Sequence, residues 1–144
     1  MDLVESWAPR RVVVDATGLG AGVASFLQQR YGPRVSPYVF SAQSKSQLGW
    51  AFLAICDTAR FKDHARDGSE AQEAFWRQAL AAAYEILDGP GRRLRWGVGQ
   101  AGAHDDLLVS AALCAALERE PWAAGESAVV GAADPLGEID GGQF

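Results

Sequence analysis

The run Arg11-Val12-Val13-Val14-Asp15, followed after Ala16 by Thr17-Gly18-Leu19-Gly20-Ala21-Gly22, constrains this chain more than any other stretch. Three successive valines without polar alternation mark a strand covered on both faces, as in a parallel or mixed sheet with helices on each side. Val23, Phe26 and Leu27 then recur at helical spacing, Tyr31-Gly32-Pro33 ends that helix, and residues 35–40 read as the next strand. The three pieces make a strand–helix–strand crossover, so the expected fold class is α/β.

The remaining elements follow the same periodicities. Residues 41–46 form a polar turn, and Leu48, Phe52 and Ile55 set a helix over 48–59. Arg60-Phe61-Lys62 leads into a polar loop over 64–69. An alanine-rich helix is predicted over 71–87, with Phe75, Trp76, Leu80, Tyr84 and Leu87 in register. Asp88-Gly89-Pro90-Gly91 is a turn, 92–98 a strand with a basic start, and 99–103 a flexible loop. A last helix opens at Asp105-Asp106 and runs to about Arg119. Residues 1–9 are expected as a lead-in, 10–120 as the folded domain, and 121–144 as an acidic, Gly- and Ala-rich, mostly disordered tail.

A chain of 144 residues, 49% of them hydrophobic, suits one packed domain. No apolar stretch reaches the roughly 18 residues needed to span a bilayer. The opening MDLVESWAPRR lacks the apolar segment of a secretory signal. Cys56 and Cys114, both in apolar helical context, read as small buried hydrophobes rather than a disulfide or zinc site, which fits a reducing cytosol. The five tryptophans read mostly as core. The net charge of −5 divides unevenly: all 13 bases lie in residues 10–119 against 11 acids, whereas 1–9 and 120–144 carry acids alone. The body is therefore mildly basic between acidic ends, and nucleic acid is an admissible partner.

Three acids carry the chemical interest. Asp15 ends a strand, where ligand sites of α/β sheets gather; the competing reading is an acid that caps its own turn. Asp105 and Asp106 open an apolar helix. Asp105 suits an N-cap and Asp106 the helix dipole, but adjacent helical residues point roughly 100° apart, so one can face a metal while the other caps. His104 suits a group that orients water or a ligand carboxylate. The glycine turn departs from the dinucleotide fingerprint, with Val23 where that pattern wants Gly, and there is no Gly-Lys-Ser/Thr phosphate loop. Lys45, Arg60, Lys62, Arg92, Arg93 and Arg95 sit at turns and strand starts, as solvated charge or as a phosphate-tracking set.

Read in order, Val-Val-Val-Asp15-Ala-Thr-Gly, Lys45-Ser46-x-Leu48-Gly49, Ala59-Arg60-Phe61-Lys62, Phe75-Trp76-x-Gln78, Trp96-Gly97-Val98 and His104-Asp105-Asp106-Leu107-Leu108-Val109-Ser110 resemble the C-terminal nuclease domain of tailed-phage terminase large subunits. The resemblance spans residues 11–119. It implies an RNase H-like mixed sheet flanked by helices and cleavage of concatemeric viral DNA during packaging. It further implies a site in which Asp15, Asp106 and Asp105 hold Mg²⁺ or Mn²⁺, with Asp106 favoured as a direct ligand and His104 in support. In such sites two ions roughly 4 Å apart activate water and stabilise the leaving oxygen. The implied partners are double-stranded DNA, through Lys45, Arg60, Lys62, Arg92 and Arg93, together with other terminase subunits and the portal. No membrane is implied, and the setting is the host-cell cytoplasm.

One departure bears on activity. The family's sheet begins with antiparallel strands, the first of which supplies an essential Asp, yet only 14 residues precede Asp15. The chain thus reads as the rear portion of such a domain, lacking its first strands and first ligand, with an unpaired edge at Val12–Val14. The alternatives are a non-catalytic remnant that binds DNA or a packaging partner, and a small nucleotide-binding α/β domain built on the glycine turn.

Overall fold

The computed structural model describes residues 2–89, 91–99 and 104–120. The expected tail over 121–144, and most of the expected loop over 99–103, lie outside them. The elements in order are α1 (Asp2–Trp7), β1 (Val12–Asp15), α2 (Gly20–Tyr31), β2 (Val35–Tyr38), α3 (Ala42–Asp57), α4 (Glu70–Ala81), β3 (Ala82–Ile86), β4 (Leu94–Val98) and α5 (Asp106–Leu113), with 3-10 turns at Gly32–Arg34 and Cys114–Arg119.

The fold is α/β, and the crossover read from the valine run is present: β1 and β2 pair in parallel, Val12 opposite Val35 and Asp15 opposite Tyr38, with α2 between them in sequence. The sheet is smaller than expected. Instead of one mixed sheet, the described residues form two separate two-stranded sheets, β1–β2 parallel and β3–β4 antiparallel. The expected helix over 71–87 stops at Ala81, and its last turn and a half is strand β3, paired with β4 from Ala82 opposite Val98 to Ile86 opposite Leu94. Alanine favours helix locally, but the hairpin's cross-strand bonds override that preference. The lead-in contains the short helix α1, tied to α2 by an ion pair between Glu5 and Arg30.

Helix α3 starts six residues earlier than its apolar register indicates. Ser41 and Ser44 form a reciprocal capping box: the Ser41 hydroxyl accepts from the Ser44 amide (3.0 Å), and the Ser44 hydroxyl accepts from the Ser41 amide (2.8 Å). The supposed polar turn is thus the first helical turn.

The core centres on Leu48, Ala112, Leu113 and Ala115, with Val13, Tyr38, Phe40, Phe52, Ile55 and Trp96 packed around them. Two expectations about burial fail. Cys56 and Cys114 are both exposed, and among the tryptophans Trp7, Trp50 and Trp76 are exposed while Trp96 is half-buried. With two short sheets there is not enough covered surface for them. No described helix is long and apolar enough to cross a membrane.

Candidate functional site

Asp15 closes β1 with its side chain exposed. Its Oδ1 accepts from the Thr17 amide at 2.8 Å, so the carboxylate organises its own turn. Thr17 Oγ1 in turn accepts from the Phe40 amide (2.8 Å), and the Tyr38 carbonyl accepts from the Ala16 amide (2.8 Å), which locks the turn to the end of β2. Gly18 lies at φ +55°, the left-handed region that favours glycine. A Cβ at Gly20 would fall against the Asp15 carbonyl oxygen, so the motif's glycines serve the tight approach of α2 to the strand end.

Asp105 occupies the N-cap position of α5 but makes no side-chain cap bond. Gln78 of α4 does that work, its Oε1 accepting from the Leu107 amide (2.9 Å) and the Leu108 amide (3.0 Å). The Asp105 carboxylate turns instead to Lys45, with Oδ2 3.8 Å from Nζ. It lies against Gly97, where a Cβ would come within 2.7 Å of Oδ2, and Gly97 itself holds φ +140°. Lys45 Nζ also sits 5.4 Å from the centre of the Trp96 ring. Lys45, Trp96, Gly97 and Asp105 thereby line an open cavity of about 370 Å³, together with Arg95 and Tyr84. Asp106, the first residue of α5, points outward with its side chain 85% exposed; His104 Nδ1 is 3.7 Å from its Oδ2.

The Lys45-Ser46-x-Leu48-Gly49 segment has a packing role that its sequence does not announce. The buried Ser46 hydroxyl accepts from the Leu94 amide (2.8 Å), and the Lys45 carbonyl accepts from Trp96 Nε1 (2.7 Å). Gly49 faces Trp96 so closely that a Cβ there would meet Nε1 and Cδ1. These contacts fasten α3 to β4 and so set where Lys45 and Asp105 meet.

Among the described residues no three or more His, Cys, Asp or Glu side chains converge as a metal ligand set. The bases also divide. All five outer bases are exposed, but Arg60 pairs with Glu118 and Arg95 with Glu85 (3.2 Å), whereas among the described residues Lys62, Arg92 and Arg93 join no ion pair. Arg92 takes φ +39° in the β3–β4 turn, and its carbonyl accepts from Trp50 Nε1 at 3.3 Å.

A second polar cluster was not legible in the sequence. The buried Gln72 of α4 donates to Asp63 Oδ2 (2.8 Å) and to the His64 carbonyl (3.2 Å), and Trp76 Nε1 donates to the same Asp63 oxygen (2.9 Å). The Gln72 bond, with help from Trp76, holds the Asp63 carboxyl below its usual range. The Ser69 amide, bound at 2.8 Å, together with the Ser69 side chain and His64, lowers Asp67 to about 2. Only the Ser69 helix-cap pattern could have signalled this loop; the Gln72 contacts reach across eight and nine residues. Beside it opens an apolar hollow of about 490 Å³, lined by Phe52, Cys56, Phe61, Phe75, Trp76 and Trp96. Apolar surroundings, and then Asp57, push the Cys56 thiol pKa up.

Compared with protein-family models, with curated proteins and with solved structures, the chain matches none of them.

Proposed function

We propose that this chain carries an RNase H-like nuclease domain of the terminase type, acting on double-stranded DNA in a phage-infected or lysogenic cell beside other terminase subunits and the portal. The observation that carries the reading is Asp15, an exposed carboxylate at the carboxyl end of a strand in a parallel crossover unit. The ordered motif series through His104-Asp105-Asp106 supports it.

The donors present do not fit a Mg²⁺ or Mn²⁺ centre as they stand. Asp15 binds its own turn, Asp105 faces Lys45 at 3.8 Å, and Asp106 has His104 as its nearby partner. A hard divalent ion needs six or more oxygen donors, several from water but anchored by converging carboxylates. No hydrolytic step is therefore assigned to these residues alone, and the isolated chain is expected to cut DNA weakly or not at all. The Lys45–Asp105 pair favours a second reading, a remnant that binds DNA without cutting it.

Plasmid cleavage in Mn²⁺ by the chain, by Asp15→Ala and by Asp106→Ala separates these readings. Trace nicking that both substitutions remove supports the nuclease reading. Equal nicking by all three proteins ends it, and strong acid-dependent cutting would show that the centre is complete after all. Salt-dependent DNA binding with no metal-dependent nicking selects the second reading.

A further inference from the structure

Strand β1 carries an interior strand's sequence at an open edge. None of Val12, Val13 and Val14 is buried, although α2 packs on both strands of the β1–β2 pair and Val13 and Tyr38 pack against the Leu48 cluster. The ladder fixes which edge is open. The Tyr38 carbonyl accepts from the Ala16 amide, so β2 turns the backbone groups of Ser36 and Tyr38 toward β1. Pro37, which has no N–H, therefore lies on the outer edge of β2, where a proline blocks further pairing. On β1 the same alternation turns Val12 and Val14 toward β2 and Val13 and Asp15 away from it. Among the described residues Val13 has no hydrogen-bond partner on that outer side.

The sequence of that edge is complementary to itself. Laid antiparallel on a second copy about Val13, the run places Val13 opposite Val13, Val12 opposite Val14, and Arg11 opposite Asp15, twice over by symmetry. Odd-numbered residues share one face of the strand, so Arg11 and the facing Asp15 come side by side. Each side chain keeps one polar atom free for such a pair. Arg11 Nε and Nη1 are engaged by Glu120 (3.3 Å) and the Pro33 carbonyl (2.9 Å), leaving Nη2. Asp15 uses Oδ1 for Thr17, leaving Oδ2.

We propose that the chain forms a twofold dimer through antiparallel β1–β1 pairing centred on Val13, joining two parallel pairs into one four-stranded sheet. Two-stranded sheets are marginal alone, and the pairing doubles the sheet while giving the Val13 N–H and C=O their partners. The inference draws on the β1 edge that the nuclease reading leaves unpaired, and oligomeric state is read without DNA or metal, so its failure is distinguishable from a failure to cut DNA.

Light scattering and sedimentation of the full chain over a wide concentration range test it, with a particle of twice 15.3 kDa expected. Arg11→Asp and Asp15→Arg should each weaken the dimer roughly ten- to a hundred-fold, because each places like charges opposite one another at two symmetric positions. The double swap should restore it. Neither the Glu120 nor the Pro33 contact of Arg11 returns in the double swap, so recovery belongs to the strand pair. Val13→Pro, with its fold checked by circular dichroism, should abolish the dimer. A full chain that stays monomeric, or a dimer indifferent to both charge reversals, overturns the proposal.

Discussion

Gly49→Ala sets two physical effects against each other. Gly49 lies within α3, and replacing an interior helical glycine with alanine ordinarily stabilises by about 1 kcal/mol. Here the added methyl would meet Trp96 Nε1 and Cδ1 and come within 2.8 Å of Leu94 Cδ2. Trp96 cannot simply step aside, because its Nε1 donates to the Lys45 carbonyl at 2.7 Å and the Leu94 amide, two residues before it, is held by buried Ser46. Overpacking of this kind costs about 1–3 kcal/mol, and losing the indole hydrogen bond adds about 1 kcal/mol. The net expectation is destabilisation by about 1–3 kcal/mol, or a melting temperature lower by roughly 4–12 °C for a domain of this size. Thermal unfolding followed by circular dichroism measures it, and tryptophan fluorescence of the native state should change as the Trp96 ring shifts. A variant as stable as the parent, or more so, would refute the close α3–β4 contact, since helix propensity alone predicts that sign.

Two further perturbations address the caps and the loop. Gln78→Ala removes the acceptor shared by the Leu107 and Leu108 amides, so urea unfolding should show a loss of about 1–2 kcal/mol, whereas Gln78→Glu should keep the cap and suit the helix dipole. Equal stability of the parent and Gln78→Ala would count against that cap. Asp67 has its folded pKa depressed to about 2 from 3.8, so the stability it confers is present above pH 4 and is lost as the pH falls toward 2. Asp63, also depressed, acts in the same direction. Asp67→Asn should therefore flatten the loop's pH response between 4 and 2, read by Trp76 fluorescence or amide exchange; an unchanged profile would place the titration elsewhere.

What the sequence made legible was local. The valine run, the glycine turn and the proline stop led to β1, α2 and β2, and the turn-capping alternative for Asp15 is the contact observed. What it hid was the product of distant pairing. Residues 82–86 looked helical because alanine and a fortuitous 3.6 spacing carried the signal, while their strand partner lies beyond a turn. Asp105 looked like a cap because its position is right, yet the acceptor comes from Gln78, 29 residues upstream of Leu107, which frees Asp105 for Lys45. The Lys45-Ser46-x-Leu48-Gly49 segment read as charge ahead of a helix, and its real constraint is the tryptophan it must admit. The burial expected of Cys56 failed because the hollow beside it stays open.

Helix α3 touches both sheets. Through Ser46 and Gly49 it grips β4, and through Leu48 and its neighbours it carries Val13 and Tyr38 of the parallel pair. Each sheet closes over a short stretch of chain and can form early and quickly, but neither is large enough to persist unaided. The rate-limiting event in folding should then be the docking of α3 between two preformed, fragile halves. Substitutions along this helix should slow refolding more than they hasten unfolding, and amide exchange in β1 and in β4, far apart in sequence, should proceed at one common rate.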